Sequence, residues 1–123
     1  MRDPTNPVCR TISALLQRIG DKWSLLVVQT LGDGSKRFNE LRREIPSVSQ
    51  RMLTLTLRNL ERDGLVSRTV TPTIPPRVDY ELTVLGHSLQ KPICGLVNWA
   101  MEHADEIHGA QARFDDEREA EAA

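Results

Sequence analysis

The sequence lacks any long apolar run, and its longest uninterrupted aliphatic stretch is Leu25–Val28. A helix needs about 20 apolar residues to span a bilayer, so we expect no membrane-spanning segment. The opening residues, MRDPTNPVCR, contain no apolar signal core, and we therefore do not expect export. The two cysteines are too few for a disulfide framework, which favours a reducing cytoplasm as the location.

The sequence also lacks the patterns that indicate catalysis or metal binding. It contains no P-loop, no Gly-x-Gly-x-x-Gly and no Gly-x-Ser-x-Gly. His103 and His108 are five residues apart, whereas a spacing of four would bring two ligands onto one helical face. We therefore predict no enzymatic activity, no cofactor and no metal site.

The charge of the chain is small in total but unevenly distributed. The 123 residues have a net charge of −1 and include 39% hydrophobic and 27% charged residues, which is typical of one soluble globular domain. Residues 36–77 contain nine Lys/Arg and four acids, whereas residues 102–123 contain eight acids and two arginines. A basic middle and an acidic end give the molecule a polarised electrostatic field.

Apolar residues at steps of three and four predict several helices. Two N-terminal helices are separated by Gly20 and Asp21, and a short helix capped by Asn39 is closed by Pro46. After a tight connection, Ser49 caps a longer helix. A short helix, a brief turn and a longer helix are the arrangement of a helix-turn-helix.

The remainder of the chain predicts a hairpin and a return to helix. LVSRTVT and RVDYELT alternate as strands do, and the prolines between them belong in a loop because proline cannot pair inside a ladder. Thr83 caps a further helix, and Pro92 opens a final one. The predicted fold is mainly α with a small β-hairpin (α+β), a winged helix-turn-helix of the DNA/RNA-binding three-helical bundle type with N- and C-terminal dimerisation helices. Residues 1–110 form the single domain, and residues 111–123 form an acidic, frayed tail.

The longer helix of the central pair, SQRMLTLTLRNLER, has two different faces. Its leucines at 53, 57 and 60 share one side, and three arginines with one leucine share the other. An α-helix fits the major groove of DNA, where arginine can contact guanine and an apolar side chain can contact the thymine methyl group. We predict a recognition helix whose DNA-binding residues are Ser49, Gln50, Arg51, Thr54, Leu55, Arg58 and Arg62. The residues predicted to contact the DNA backbone or to lie on the wing are Lys36, Arg37, Arg42, Arg43, Arg68 and Arg77.

Two other interpretations of these arginines remain open. They could be ordinary helix-forming residues that keep a surface helix soluble. Alternatively, the chain could be a protein-interaction winged helix whose basic face binds an acidic partner.

The order of several motifs resembles that of the HxlR-type, MarR-like winged helix-turn-helix transcriptional regulators. These motifs are IGDKWSLLVVQTL, RFNELRREIPSVSQRMLTLTLRNLERDGLVSRTV, PPRVDYELTVLGHSL and VNWAMEH, and the resemblance covers roughly residues 6–103. It implies a bacterial or archaeal homodimer that binds a pseudo-palindromic double-stranded DNA operator, with repression as the common mode. A small-molecule or redox signal as effector is left open.

The resemblance also implies a question about the first cysteine. Several members of the family have an electrophile- or oxidant-sensing cysteine directly before the Pro-Val that starts the first helix, where this sequence has Asn6. Cys9 follows three residues later, beside Arg10, and a nearby cation stabilises a thiolate. Cys9 is therefore a candidate thiol sensor, and the alternative is a small packing residue.

Apolar positions on the first and last helices exceed what one small winged-helix core needs. Two such elements suggest a self-complementary two-fold interface, in agreement with the resemblance. The alternative is that the last helix folds back on its own domain. The residues predicted at the dimer interface are Ile12, Leu16, Ile93, Leu96, Val97, Ala100, Ala104 and Ile107.

Overall fold

The computed structural model describes residues 5–122 and contains, in that range, five helices and one two-stranded antiparallel sheet. In chain order the elements are α1 (Pro7–Ile19), α2 (Lys22–Leu31), α3 (Phe38–Glu44), α4 (Gln50–Arg62), β1 (Val66–Thr71), β2 (Arg77–Leu82) and α5 (Val84–Ala122). This order confirms the predicted fold class, a helix-turn-helix followed by a hairpin.

The chain divides into two compact units after Gln90. The first contains the elements from α1 to β2 with the start of α5, and the second contains the rest of α5. Most side chains of the second unit are exposed. The predicted extent of the winged-helix domain, residues 1–110, stays a prediction.

The core of the first unit is formed mainly by aliphatic residues of α2 and α4. Val27, Val28 and Leu31 of α2 are almost completely buried, as are the three leucines at 53, 57 and 60 of α4. Burying such a side chain stabilises the fold by about 1.5–3 kcal/mol. Since all three leucines of α4 face inward, the opposite side of that helix faces solvent.

Short polar side chains fix where the helices begin. Asp21 accepts a hydrogen bond from the backbone N–H of Ser24 at 3.2 Å, and Ser49 accepts one from Met52 at 3.0 Å. Both caps confirm the sequence prediction. The predicted cap at Asn39 is wrong, because α3 begins at Phe38 and its N-cap is Arg37, two positions earlier, and Glu40 accepts the N–H of Arg37 at 3.1 Å. The Glu40 carboxylate thus satisfies the backbone N–H of Arg37, as in a capping box. Its negative charge also interacts favourably with the helix dipole at the N-terminus.

The hairpin holds the wing beside the helix-turn-helix. Val66 pairs with Leu82 at its base, where both side chains are buried, and Thr71 pairs with Arg77 at its far end. The three prolines lie in the loop between the strands, as predicted. Lys36, just before α3, forms a single isolated bridge to Tyr80.

The last helix differs from the sequence prediction. Val84–Ala122 is one continuous helix of 39 residues with Pro92 inside it, so the predicted start of a new helix at Pro92 is wrong. A proline in a helix interior costs about 3 kcal/mol, because it lacks the N–H and its ring crowds the preceding turn. The helix continues on both sides of Pro92 despite that local cost. The same helix includes residues 111–122, which the sequence predicts as a frayed tail.

Between residues 5 and 122, no helix is both long enough and apolar enough to cross a membrane.

Candidate nucleic-acid interface

The outer face of α4 is a basic surface that also exposes the apolar side chain of Leu55 and, to a lesser extent, that of Met52. Arg51, Arg58 and Arg62 are all exposed, and Leu55 among them is 50% exposed. Gln50, Arg51, Thr54, Leu55 and Arg58 line one shallow groove along this face. We call these five residues the α4 groove. The structure thus brings together in one groove five of the seven residues predicted for the recognition helix.

The position of α4 is set by the turn that precedes it. Ile45 and Val48 on either side of Pro46 are buried, and Leu41 of α3 is completely buried. The burial of these three side chains holds the connection between α3 and α4 against the core. The Ser49 cap fixes the first residue of α4. A rigid support of this kind holds the helix axis steady, which base recognition needs.

The arginines of α4 have no carboxylate partner within the described residues 5–122. The neighbouring acid at the end of the helix, Asp63, is bound instead by Arg18 of α1, whose Nε lies 2.6 Å from a carboxylate oxygen. Because Asp63 is engaged by α1, the guanidinium of Arg62 is left for solvent or a ligand. The three charges of this face are therefore available to an external anion.

Two other predicted DNA-contacting residues do have carboxylate partners. The ammonium of Lys36 lies 3.2 Å from Glu44, and the Nε of Arg77 lies 3.0 Å from Asp79. Part of the charge of each cation is therefore compensated within the chain. Lys36 and Arg77 differ in this respect from the other predicted backbone contacts, which are Arg37, Arg42, Arg43 and Arg68. Residues 5–122 supply no ion pair for those four arginines.

Two clefts extend the basic surface from α4 to the hairpin. One, between α3 and the start of β2, is lined by residues that include Arg37, Arg43 and Arg77. The other, between α4 and the hairpin, is lined by residues that include Arg58, Arg68 and Tyr80. The predicted wing residues and helix residues therefore border shared depressions, which Glu40 and Glu61 also line.

Sequence reasoning missed two residues of this surface. Tyr80 is half-buried, faces Arg68 across the hairpin and borders the same cleft as Arg58. Asp79 holds Arg77. In the alternating pattern of β2, Tyr80 falls on the same side as the apolar residues. Only the cross-strand register, which pairs position 80 with an arginine, would have indicated that Tyr80 also borders the basic cleft.

The residues predicted at a dimer interface are mostly accessible in the single chain. Leu16 and Leu96 are about half exposed, and Ile107 is 39% exposed. Ile12, Val97 and Ala104 are partly buried, and Ala100 is exposed. Ile93 differs because it is already buried at 2% exposure in the monomer. Exposed aliphatic residues on α1, which also include Val8 and Leu15, form an apolar surface that is large for such a short helix.

The two cysteines lie in opposite environments. Cys9 is the one buried residue of α1, at 4% exposure, whereas Cys94 is exposed on α5. An oxidant cannot reach the Cys9 thiol without local movement of α1, so a sensing role for Cys9 stays a prediction. In the part of the chain that the structure describes, no group of three His, Cys, Asp or Glu side chains could hold a metal ion.

A helix-turn-helix, a hairpin wing and an exposed basic second helix define the class of winged-helix transcriptional regulators. The profile of the HxlR-like helix-turn-helix family matches residues 18–108. The chain belongs to this family and is a transcriptional regulator of the helix-turn-helix type.

Individual relatives agree in sequence and in structure. The chain is 43% identical over 101 residues to the uncharacterized HTH-type transcriptional regulator YdeP of Bacillus subtilis (strain 168), covering 82% of this chain and 79% of YdeP. The reduced form of the redox regulator HypR is similar with a TM-score of 0.75 and 41% identity, covering 80% of this chain and 98% of HypR. The reduced form of YodB from B. subtilis gives a TM-score of 0.67 and 35% identity, covering 81% and 92%.

Proposed function

We propose that this regulator binds a pseudo-palindromic DNA operator as a homodimer and represses transcription there. The observation on which the proposal depends is the exposed face of α4, where Arg51 and Arg58 have no carboxylate partner within residues 5–122 and Leu55 stands between them. A single exposed leucine is common on a protein surface, so the weight of the observation lies in its position between two unpaired arginines. A helix in the major groove uses both kinds of side chain.

Within this proposal the basic residues have two different roles. Arg51, Leu55 and Arg58 read base edges from the α4 groove, because they lie at the centre of the outer face. Arg37, Arg43, Ser49 and Arg62 position the protein on the sugar-phosphate backbone. Arg77 is the fifth predicted backbone contact, and Asp79 compensates part of its charge. Phosphate contacts fix the register of the protein on the duplex, and base contacts choose the sequence.

A homodimer follows from the apolar surfaces of α1 and α5. Leu16, Leu96 and Ile107 would be covered by a second copy of the chain, which removes apolar surface from water. A two-fold axis would place the two α4 helices in successive major grooves, about 34 Å apart, on a symmetric site. A dimer held on such a site would block access to an overlapping promoter, which is the basis for proposing repression.

A response to a redox signal or a small molecule is a further part of the proposal. It is supported by the similarity to HypR, which is described as a redox regulator in reduced and oxidised forms. In this chain the thiol concerned would be Cys9 on α1. Because that thiol is buried, the proposed response requires a transient opening of α1.

The salt dependence of binding tests the proposal against the alternative of a winged helix that binds an acidic protein. Of the nine Lys/Arg between residues 36 and 77, Lys36 and Arg77 are paired with acids, which leaves seven. If Arg51 and Arg58 contact bases, five remain for phosphates, or ten in a dimer. The logarithm of affinity should then fall with the logarithm of salt concentration with a slope of up to about −9.

The measurement is fluorescence anisotropy with a duplex selected by the full-length protein from a randomised library. Arg58→Ala should weaken binding to that duplex, whereas Arg113→Ala, which removes the same charge outside the basic segment, should leave it unchanged. Equal affinity for selected and random duplexes, together with equal effects of the two substitutions, would contradict the proposal.

A further inference from the structure

We propose that Thr54 and Leu55 form a methyl-reading patch that recognises the 5-methyl groups of thymines in the operator. The inference deepens the proposed function and rests on it, since it requires the outer face of α4 to lie in a major groove. Both residues line the α4 groove between Arg51 and Arg58. The patch therefore lies where a base edge would meet the helix.

The side chain of Thr54 has its hydroxyl hydrogen engaged within the helix. Its Oγ1 donates to the backbone carbonyl of Gln50 at 2.8 Å, and the residue is exposed. A threonine with this hydrogen bond has no hydroxyl proton to give to a base acceptor. The Thr54 hydroxyl can then only accept a hydrogen bond, and the group that Thr54 offers to an apolar partner is its γ-methyl.

Leu55 adds a larger apolar group next to that methyl. It is 50% exposed in a groove whose other lining residues are polar or cationic. Thymine is the only DNA base with a methyl group in the major groove. Covering one methyl group is worth about 0.8 kcal/mol, or about fourfold in affinity.

The spacing of the groove predicts where the thymines lie. Arg51 and Arg58 are seven residues apart, which at a rise of about 1.5 Å per residue is about 10 Å along the helix. The same length spans about three base-pair steps of 3.4 Å. Each half-site should therefore contain one or two thymines within about three base pairs of the guanines contacted by the arginines.

The test uses the full-length protein and the duplex that it selects from a randomised library. Each thymine of one half-site is replaced in turn by deoxyuridine, which removes only the 5-methyl group and keeps the base pair. Affinity should fall by about fourfold at one or two positions and should be unchanged at the others.

Matched substitutions at Thr54 identify the group that is read. Thr54→Ser keeps the hydroxyl and its bond to Gln50 but removes the methyl, whereas Thr54→Val keeps a methyl and removes the hydroxyl. The inference expects Thr54→Val to retain the sensitivity to deoxyuridine and expects Thr54→Ser and Leu55→Ala to reduce it. Both positions are exposed, so circular dichroism should show that all three variants stay folded.

Three outcomes would overturn the inference. A tightly bound selected duplex that tolerates deoxyuridine at every position would exclude methyl reading and leave DNA binding intact. Loss of discrimination in Thr54→Val but not in Thr54→Ser would assign the contact to the hydroxyl. Failure to enrich any sequence from the library would first refute the proposed function, and the methyl-reading patch with it.

Discussion

Replacing Asp79 by asparagine should strengthen DNA binding, although it breaks an ion pair. The Nε of Arg77 lies 3.0 and 3.3 Å from the two carboxylate oxygens of Asp79, and the two side chains are 51% and 21% exposed. An exposed pair of this kind stabilises a fold by about 0–1 kcal/mol. The substitution should therefore change the free energy of unfolding very little, and its effect should appear in binding.

The size of the effect follows from the charge that is removed. A carboxylate about 7 Å from a phosphate in water raises the free energy of the complex by about 0.6 kcal/mol. Two copies in a dimer give about 1.2 kcal/mol, which corresponds to about sevenfold tighter binding for Asp79→Asn. Two additional cations would also become available to phosphates, so the slope of log affinity against log salt should steepen by up to about 2.

The assay is fluorescence anisotropy with the selected duplex over a range of salt concentrations, within a double-mutant cycle. If the effect acts through Arg77, then Asp79→Asn should have a much smaller effect in a chain that also has Arg77→Ala. Weaker binding by Asp79→Asn alone would refute this reasoning. In that case the carboxylate would act by orienting the guanidinium towards DNA, and the orientation would be worth more than the charge.

Three further predictions concern recognition, packing and the thiol. Arg58→Ala should reduce the free energy of DNA binding by about 1–3 kcal/mol and relax the preference for one base, whereas Arg43→Ala should weaken binding to all sequences alike. Identical effects of the two substitutions across operator variants would show that the roles are wrongly assigned. Gly86→Ala should lower the free energy of unfolding by about 1–3 kcal/mol in denaturant titrations, because the new Cβ would clash with the backbone carbonyl of Leu65. Unchanged stability would disprove that close contact. Cys9 should react with a maleimide only slowly in the folded protein, because the residue is 4% exposed. If the fully modified protein binds the operator with unchanged affinity, Cys9 is not a sensor.

The two faces of α4 could be predicted from sequence because each depends only on local spacing. Leu53, Leu57 and Leu60 recur at helical steps, and a serine at position 49 marks where the helix begins. Once those leucines face the core, the direction of Arg51 and Arg58 follows from helix geometry alone. The same reasoning held for the hairpin, because prolines confined the turn to the loop between its strands.

Features that depend on contacts between distant positions could not be predicted in the same way. Nothing in the order of residues shows that Asp63 is bound by Arg18, 45 positions away, rather than by the adjacent Arg62. The same is true of Tyr80, whose neighbour Arg68 is fixed by strand register. The continuity of α5 through Pro92 was missed for another reason: proline is a strong local signal, but the local cost of one missing hydrogen bond does not decide a helix of 39 residues.

The net charge of −1 has a consequence for how this regulator would find its site. A strongly basic protein gains most of its attraction to DNA from its overall field, which does not depend on sequence. Here the attraction must come from cations in one region, residues 36–77, and two of those, Lys36 and Arg77, are partly compensated by Glu44 and Asp79. Random DNA should therefore bind weakly, because it meets only the phosphate contacts of that region. On the proposed function, the methyl-reading patch and the arginines of the α4 groove would then account for a larger share of the binding free energy at the operator. Weak non-specific binding and high selectivity would have the same physical origin.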